Sequence, residues 1–88
     1  MKREHLYRIV IRDLKNVFVD YYLTVDDAAD KKYGVCLVKL IGTDYVEEFR
    51  SVHHVWDKRE QAIAFINRLA EGEALPITLA DIIEDCRD

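Results

Sequence analysis

Residues 17–25, VFVDYYLTV, alternate without a break: Val17, Val19, Tyr21, Leu23 and Val25 share one side of an extended chain, and Phe18, Asp20, Tyr22 and Thr24 share the other. A period of two sustained over this length belongs to a strand with one face in a core, because a helix would scatter those side chains around its axis. Such a strand is not stable alone. The rest of the chain has to supply its neighbours and its cover.

Neighbours are available on both sides. HLYRIVIR, residues 5–12, puts Tyr7, Ile9 and Ile11 on one side and Arg8, Val10 and Arg12 on the other, and the DLKN that follows supplies turn residues. After the loop-like DDAADKK, the run YGVCLVKLI at 33–41 is apolar on both parities apart from Lys39, as suits a central strand covered on both faces or one whose register the pattern does not fix. GTD at 42–44 is short enough to join it to YVEEFRSVHHV as a hairpin. Four antiparallel strands in sequence order are the economical arrangement.

The cover comes from the second half of the chain. In KREQAIAFINRLAE, Ala62, Ile63, Phe65, Ile66, Leu69 and Ala70 fall on one helical face, and Glu60, Ala64, Asn67, Arg68 and Glu71 fall on the other. Asp57 followed by Glu60 is a capping-box pattern, so Asp57→Ala is expected to cost about 1 kcal/mol. Trp56, just before it, is placed to pack on the first turns. Gly72 suits a left-handed C-terminal cap. Thr78 and Asp81 repeat the cap signature ahead of a narrow stripe of Leu79, Ile82, Ile83 and Cys86, a helix too short to persist without docking.

With 88 residues and half of them hydrophobic, this is the content of one compact domain, 1–88, with little room for a substrate pocket. The formal net charge of -4 argues against duplex nucleic acid. Basic residues gather at the start and acidic ones from Glu71 onward. Cys36 and Cys86 show no ladder of spacings, which fits a reducing cytosol, and MKREHLYRIV reads as neither signal peptide nor membrane anchor.

Candidate chemistry thins out on inspection. His53 and His54, adjacent on a strand, would point to opposite faces and could not share an ion, and His5 has no fixed spacing to them. If the hairpin turns at Thr43, Cys36 faces about Arg50 and His53 faces about Tyr33, leaving a thiol and imidazole roughly 10 Å apart. That is far beyond the ~3 Å a nucleophile and its base require. Asp81, Glu84, Asp85 and Asp88 lack the glycine-containing loop of a calcium hand, and read as a solvated face whose charge near a helix C-terminus would welcome a basic partner such as the N-terminal strand. No catalytic residue, cofactor or metal is expected.

From about Tyr33 onward, the order YGV, charged hairpin, amphipathic helix and LPITLADIIEDC resembles a family of small uncharacterised proteins of clostridia and related Firmicutes, classed as a domain of unknown function. The resemblance is carried by Tyr33, Gly34 and Val35 and by Pro76, Leu79, Asp81, Ile82, Ile83, Glu84 and Asp85. It implies a bacterial cytosolic protein and assigns no catalytic residue.

The expected architecture is α+β: a four-stranded antiparallel meander with one face covered by an amphipathic helix and a short C-terminal helix. The other face, carrying Arg8, Val10, Arg12, Phe18 and Tyr22, is then an interaction surface. A protein partner, most simply a second copy forming a homodimer, is expected there, in a non-enzymatic module. Arginines interleaved with aromatics also suit a single strand of nucleic acid, and a small enzyme is the third class.

Overall fold

The computed structural model describes residues 1–12, 14–42 and 45–86, with side chains to residue 84 in the last segment. It contains β1 (Lys2–Val10), β2 (Val17–Val25), β3 (Tyr33–Ile41), β4 (Tyr45–Trp56), α1 (Arg59–Glu71), a 3-10 turn (Pro76–Thr78) and α2 (Leu79–Cys86). The strands form one antiparallel sheet in the order β1-β2-β3-β4. This is the meander that the alternation and short connections imply. β1 begins earlier than the HLYRIVIR pattern indicates and ends at Val10.

The inner face of β2 behaves as its alternation requires, with Val19, Tyr21 and Leu23 fully buried. Val35 and Leu37 from β3 join them, and α1 lays Ala62, Phe65, Ile66 and Leu69 on top. Leu79 and Ile83 of α2 close the layer. Tyr21, the largest fully buried side chain, resolves its polar end by donating its hydroxyl to the Ala74 carbonyl at 2.8 Å, and burial pushes its pKa up to about 12.

Both ends of α1 differ from the sequence pattern. The N-cap position falls on Lys58 and carries no side-chain bond, since the first helical turn closes from the Ala62 amide to the Lys58 carbonyl. Asp57 is exposed one residue too early, so the loss expected for Asp57→Ala has no structural basis. At the other end Gly72 has φ -86°, and Glu73 takes the left-handed conformation instead at φ 53°. The Ala74 amide then bonds Leu69 and the Glu73 amide bonds Ala70, a Schellman closure built on a non-glycine residue. Arg12 holds Glu73 there, its backbone amide and Nε each donating to the carboxylate at 2.9 and 3.0 Å. Thr78 also departs from the cap pattern, its hydroxyl donating to the Leu75 carbonyl.

The strand-to-helix junction contains the sharpest local feature. Val35 pairs with Val52 and Tyr33 with Trp56, so three residues of β4 arch over the single Gly34. His54 within that arch has φ 60°. A Cβ on Gly34 would lie 2.2 Å from the Val52 carbonyl oxygen and 2.7 Å from His53 Cα, so only glycine admits the arch. The bulge reconciles the odd spacing of Val52 and Val55, which both pack on the core. Trp56 follows and packs on Phe65 with ring centroids 5.0 Å apart, seating the helix.

Candidate functional site

Among the described residues helices cover one face of the sheet only, and the registers define what the other face presents. Four rows run across it: Arg3–Thr24–Gly34, His5–Tyr22–Cys36–Ser51, Arg8–Asp20–Val38–Phe49 and Val10–Phe18–Leu40–Val46. Of the residues that the alternation marks for interaction, Arg8, Val10, Phe18 and Tyr22 lie on this face. Arg12 does not. β1 stops at Val10, and the chain then turns so that Arg12 reaches Glu73 on the helical side.

At the centre stands Asp20, its side chain 5% exposed. A carboxylate this deep on a strand has to be paired, and Arg8 from the adjacent β1 supplies both bonds, Nε to Oδ1 at 2.8 Å and Nη2 to Oδ2 at 2.9 Å. His5 Nε2 lies 3.2 Å from the same Oδ1. The Arg8 guanidinium, and secondarily His5, hold the Asp20 carboxyl below the usual carboxylate range. The aromatics flanking this pair are engaged as well: the Arg3 guanidinium lies 4.9 Å from the Tyr22 ring centre, the Arg8 guanidinium 5.9 Å from that of Phe18, and His5 meets Tyr22 edge-on.

Toward β4 the face becomes apolar and open. Val10 is 58% exposed, Val46 49% and Phe49 60%, far more than a strand residue beneath a helix retains. Between Tyr22 and Phe49 lies a recess of about 430 Å³ that reaches Asp20, Val38 and Leu40. Phe49 and Val46 escape the sequence pattern because a bulge lies between them: Lys39 pairs with Glu48 and Leu40 with Val46, leaving Glu47 unpaired in the ladder and reversing parity. The Arg8–Asp20 pair has a visible signal. A hairpin folding about residue 14 sets these opposite charges face to face.

The other candidates resolve separately. The arch over Gly34 removes the strict opposition expected of His53 and His54, whose rings lie 6.1 Å apart. Each instead finds a neighbour on the β2 side, His53 Nδ1 at 3.3 Å from Thr24 Oγ1 and His54 Nε2 at 2.8 Å from Asp26 Oδ2. The His54 bond holds Asp26 below its ordinary pKa, helped by the Ala28 amide. Among the described residues no group of three or more His, Cys, Asp or Glu is placed to hold a metal ion. Cys36 pairs with Ser51, one position from the Arg50 expected, and is buried; Tyr33 pairs with Trp56 in place of His53. In the acidic helix Asp81 and Glu84 are exposed, and no ion pair among the described residues joins them to β1; Asp85 and Asp88 lie outside the described side chains. A larger groove of about 660 Å³, open to solvent between the end of α1 and α2, is walled by Phe65, Leu69, Leu75 and Ile82. No helix among the described residues is long and apolar enough to cross a membrane.

The centre of the face is testable by pH. Because Arg8 depresses the folded-state pKa of Asp20, the pair contributes stability that is complete above the unfolded value of about 3.9 and is lost as pH falls through the folded pKa. Asp20→Asn removes that titration. Thermal melts between about pH 2 and 7 are expected to show a shallower acid limb in the variant. Asp26 and Glu73, shifted in the same direction, leave part of the slope in place. Parallel limbs in the two proteins would contradict this assignment.

No curated protein and no solved structure matches this chain. A family profile does, over residues 2–88, and so takes in the first two strands as well as the part from Tyr33 onward. By that match the chain belongs to the family of unknown function DUF6514.

Proposed function

We propose that this domain is a non-enzymatic interaction module that forms a homodimer through the outer sheet face, in the cytosol of a bacterium. The observation that carries the reading is the strip of Val10, Val46 and Phe49, exposed on a face whose central carboxylate, Asp20, is already neutralised by Arg8. An apolar strip beside a satisfied ion pair offers burial of hydrophobic area without stranding a charge. Three strands of 9 residues beside β4, which has 12, span about 30 by 19 Å, roughly 600 Å² in projection. Once side-chain relief is added, this is comparable with the ~800 Å² per partner of a standard interface. The buried thiol of Cys36, which suits a reducing compartment, and the bond of His53 to Thr24 support a binding role over a catalytic one.

Single-stranded nucleic acid is the second reading, favoured by the guanidinium–aromatic pairs of Arg3 with Tyr22 and Arg8 with Phe18. Those same pairs occupy ring faces on which bases would stack, and the net charge of -4 opposes a polyanion.

Val10→Asp combined with Val46→Asp places two charges in one row of the face while leaving the helical side untouched. Sedimentation velocity is expected to show a dimer for the wild type and a monomer for the double variant, with unchanged circular dichroism. A dimer that persists in the variant places the contact elsewhere. A wild-type monomer that binds a dT oligonucleotide with strong salt dependence moves the reading to nucleic acid.

A further inference from the structure

The outer face carries a projection and a hollow side by side. The projection is Phe49, at the β4 end of the row that begins with Arg8. The hollow is the recess of about 430 Å³ beside it, with Val38 and Leu40 below and the Tyr22 ring opposite. Val38, Leu40, Val46 and Tyr22 give it apolar and aromatic walls, and Arg3 and Arg8 complete them; Arg8 is paired with Asp20 and the Arg3 guanidinium lies over the Tyr22 ring, so an entering apolar group strands no carboxylate.

Resting on the dimer reading above, we propose that two copies of this chain interlock through Phe49, each ring seated in the recess of the other. The geometry that does this is a two-fold axis lying in the interface between Phe49 and the recess. It carries the projection of one copy over the hollow of its mate and uses both features twice. A heterologous contact would leave one projection and one hollow open at each end and propagate into a chain of molecules. An aromatic side chain is the occupant that the recess suits, because Tyr22 offers a ring face or edge for packing and the aliphatic floor takes the rest. Charge favours a second copy too. The four rows of this face hold Arg3 and Arg8 against a single carboxylate, Asp20, so the acidic residues behind the net charge of -4 lie outside these rows and do not oppose one another across the contact.

The test is a set of dimer dissociation constants by sedimentation equilibrium on the full chain. Phe49→Ala removes the projection and is expected to weaken association on the order of 30-fold or more, the effect of losing a central aromatic anchor. Phe49→Leu, which keeps an apolar side chain on the strand, gives an intermediate loss and guards against a folding defect in the alanine variant. Tyr45→Ala serves as control: it is 65% exposed on the same hairpin, but its row runs through Ile41 to the core residue Val17, on the other face. It changes the constant by less than about threefold. If the wild type dimerises and Phe49→Ala stays within that margin, the interlock is overturned while the face reading survives. A wild-type monomer overturns both.

Discussion

Gly34→Ala is expected to remove about 3 kcal/mol or more of stability, a large part of the total available to a chain this short. The new methyl carbon would enter at 2.2 Å from the Val52 carbonyl oxygen and 2.7 Å from His53 Cα. Both are backbone atoms, so no side-chain rotation can make room. The Thr24 hydroxyl, also 2.7 Å away, is fixed in β2 and lies near the His53 ring. Relief requires the arch of β4 to lift from β3, and lifting it withdraws Val52, Val55 and Trp56 from the core together. Urea denaturation should therefore show a lowered midpoint, and thermal unfolding a fall of roughly 12 °C or more. A variant as stable as the wild type would mean that β4 does not arch over this position.

Leu37→Ala is expected to cost about 3 kcal/mol, whereas Val38→Ala, one residue further along the same strand, should cost less than about 1 kcal/mol. Leu37 is fully buried between Tyr21 and α1, on the inner face. Its loss leaves a cavity that the surrounding core cannot fully close. Val38 faces the other way, into the recess beside Phe49, and is only half-buried. The stability effect falls on one residue and the association effect on its neighbour. Denaturation at a protein concentration too low for association separates them, because dimer formation itself adds to apparent stability. Equal losses at the two positions would contradict the parity assigned to β3.

That parity was not legible in YGVCLVKLI, where apolar residues occupy both sides and give no alternation to read. β2 was legible because one of its faces mixes Asp and Thr among aromatics. The apolar stripe of α1 was equally plain, from Ala62 to Ala70. What escaped the pattern depends on more than one segment at a time. The two bulges of β4 are set by its pairing with β3, and Gly34, which permits the larger one, lies far from His54 in sequence. Once Glu47 breaks the parity, Val46 and Phe49 share a face that no simple alternation of YVEEFRSVHHV assigns to both. Arg12 was misplaced for the converse reason: alternation was extended past the end of β1, where the chain turns toward Glu73. Asp57 shows how a cap motif can miss by one residue when the junction ahead of it is shaped by packing, here that of Trp56 on Phe65.

The pairing of the outer face with its own copy is the central claim, and the mass in solution is its most direct measure. Sedimentation equilibrium of the unmodified chain, followed from the micromolar range up to a concentration on the order of 100 μM, is expected to give a single reversible transition toward twice the 10.3 kDa of the monomer. A mass that stays at 10.3 kDa throughout, or one that climbs past the dimer without limit, would contradict it.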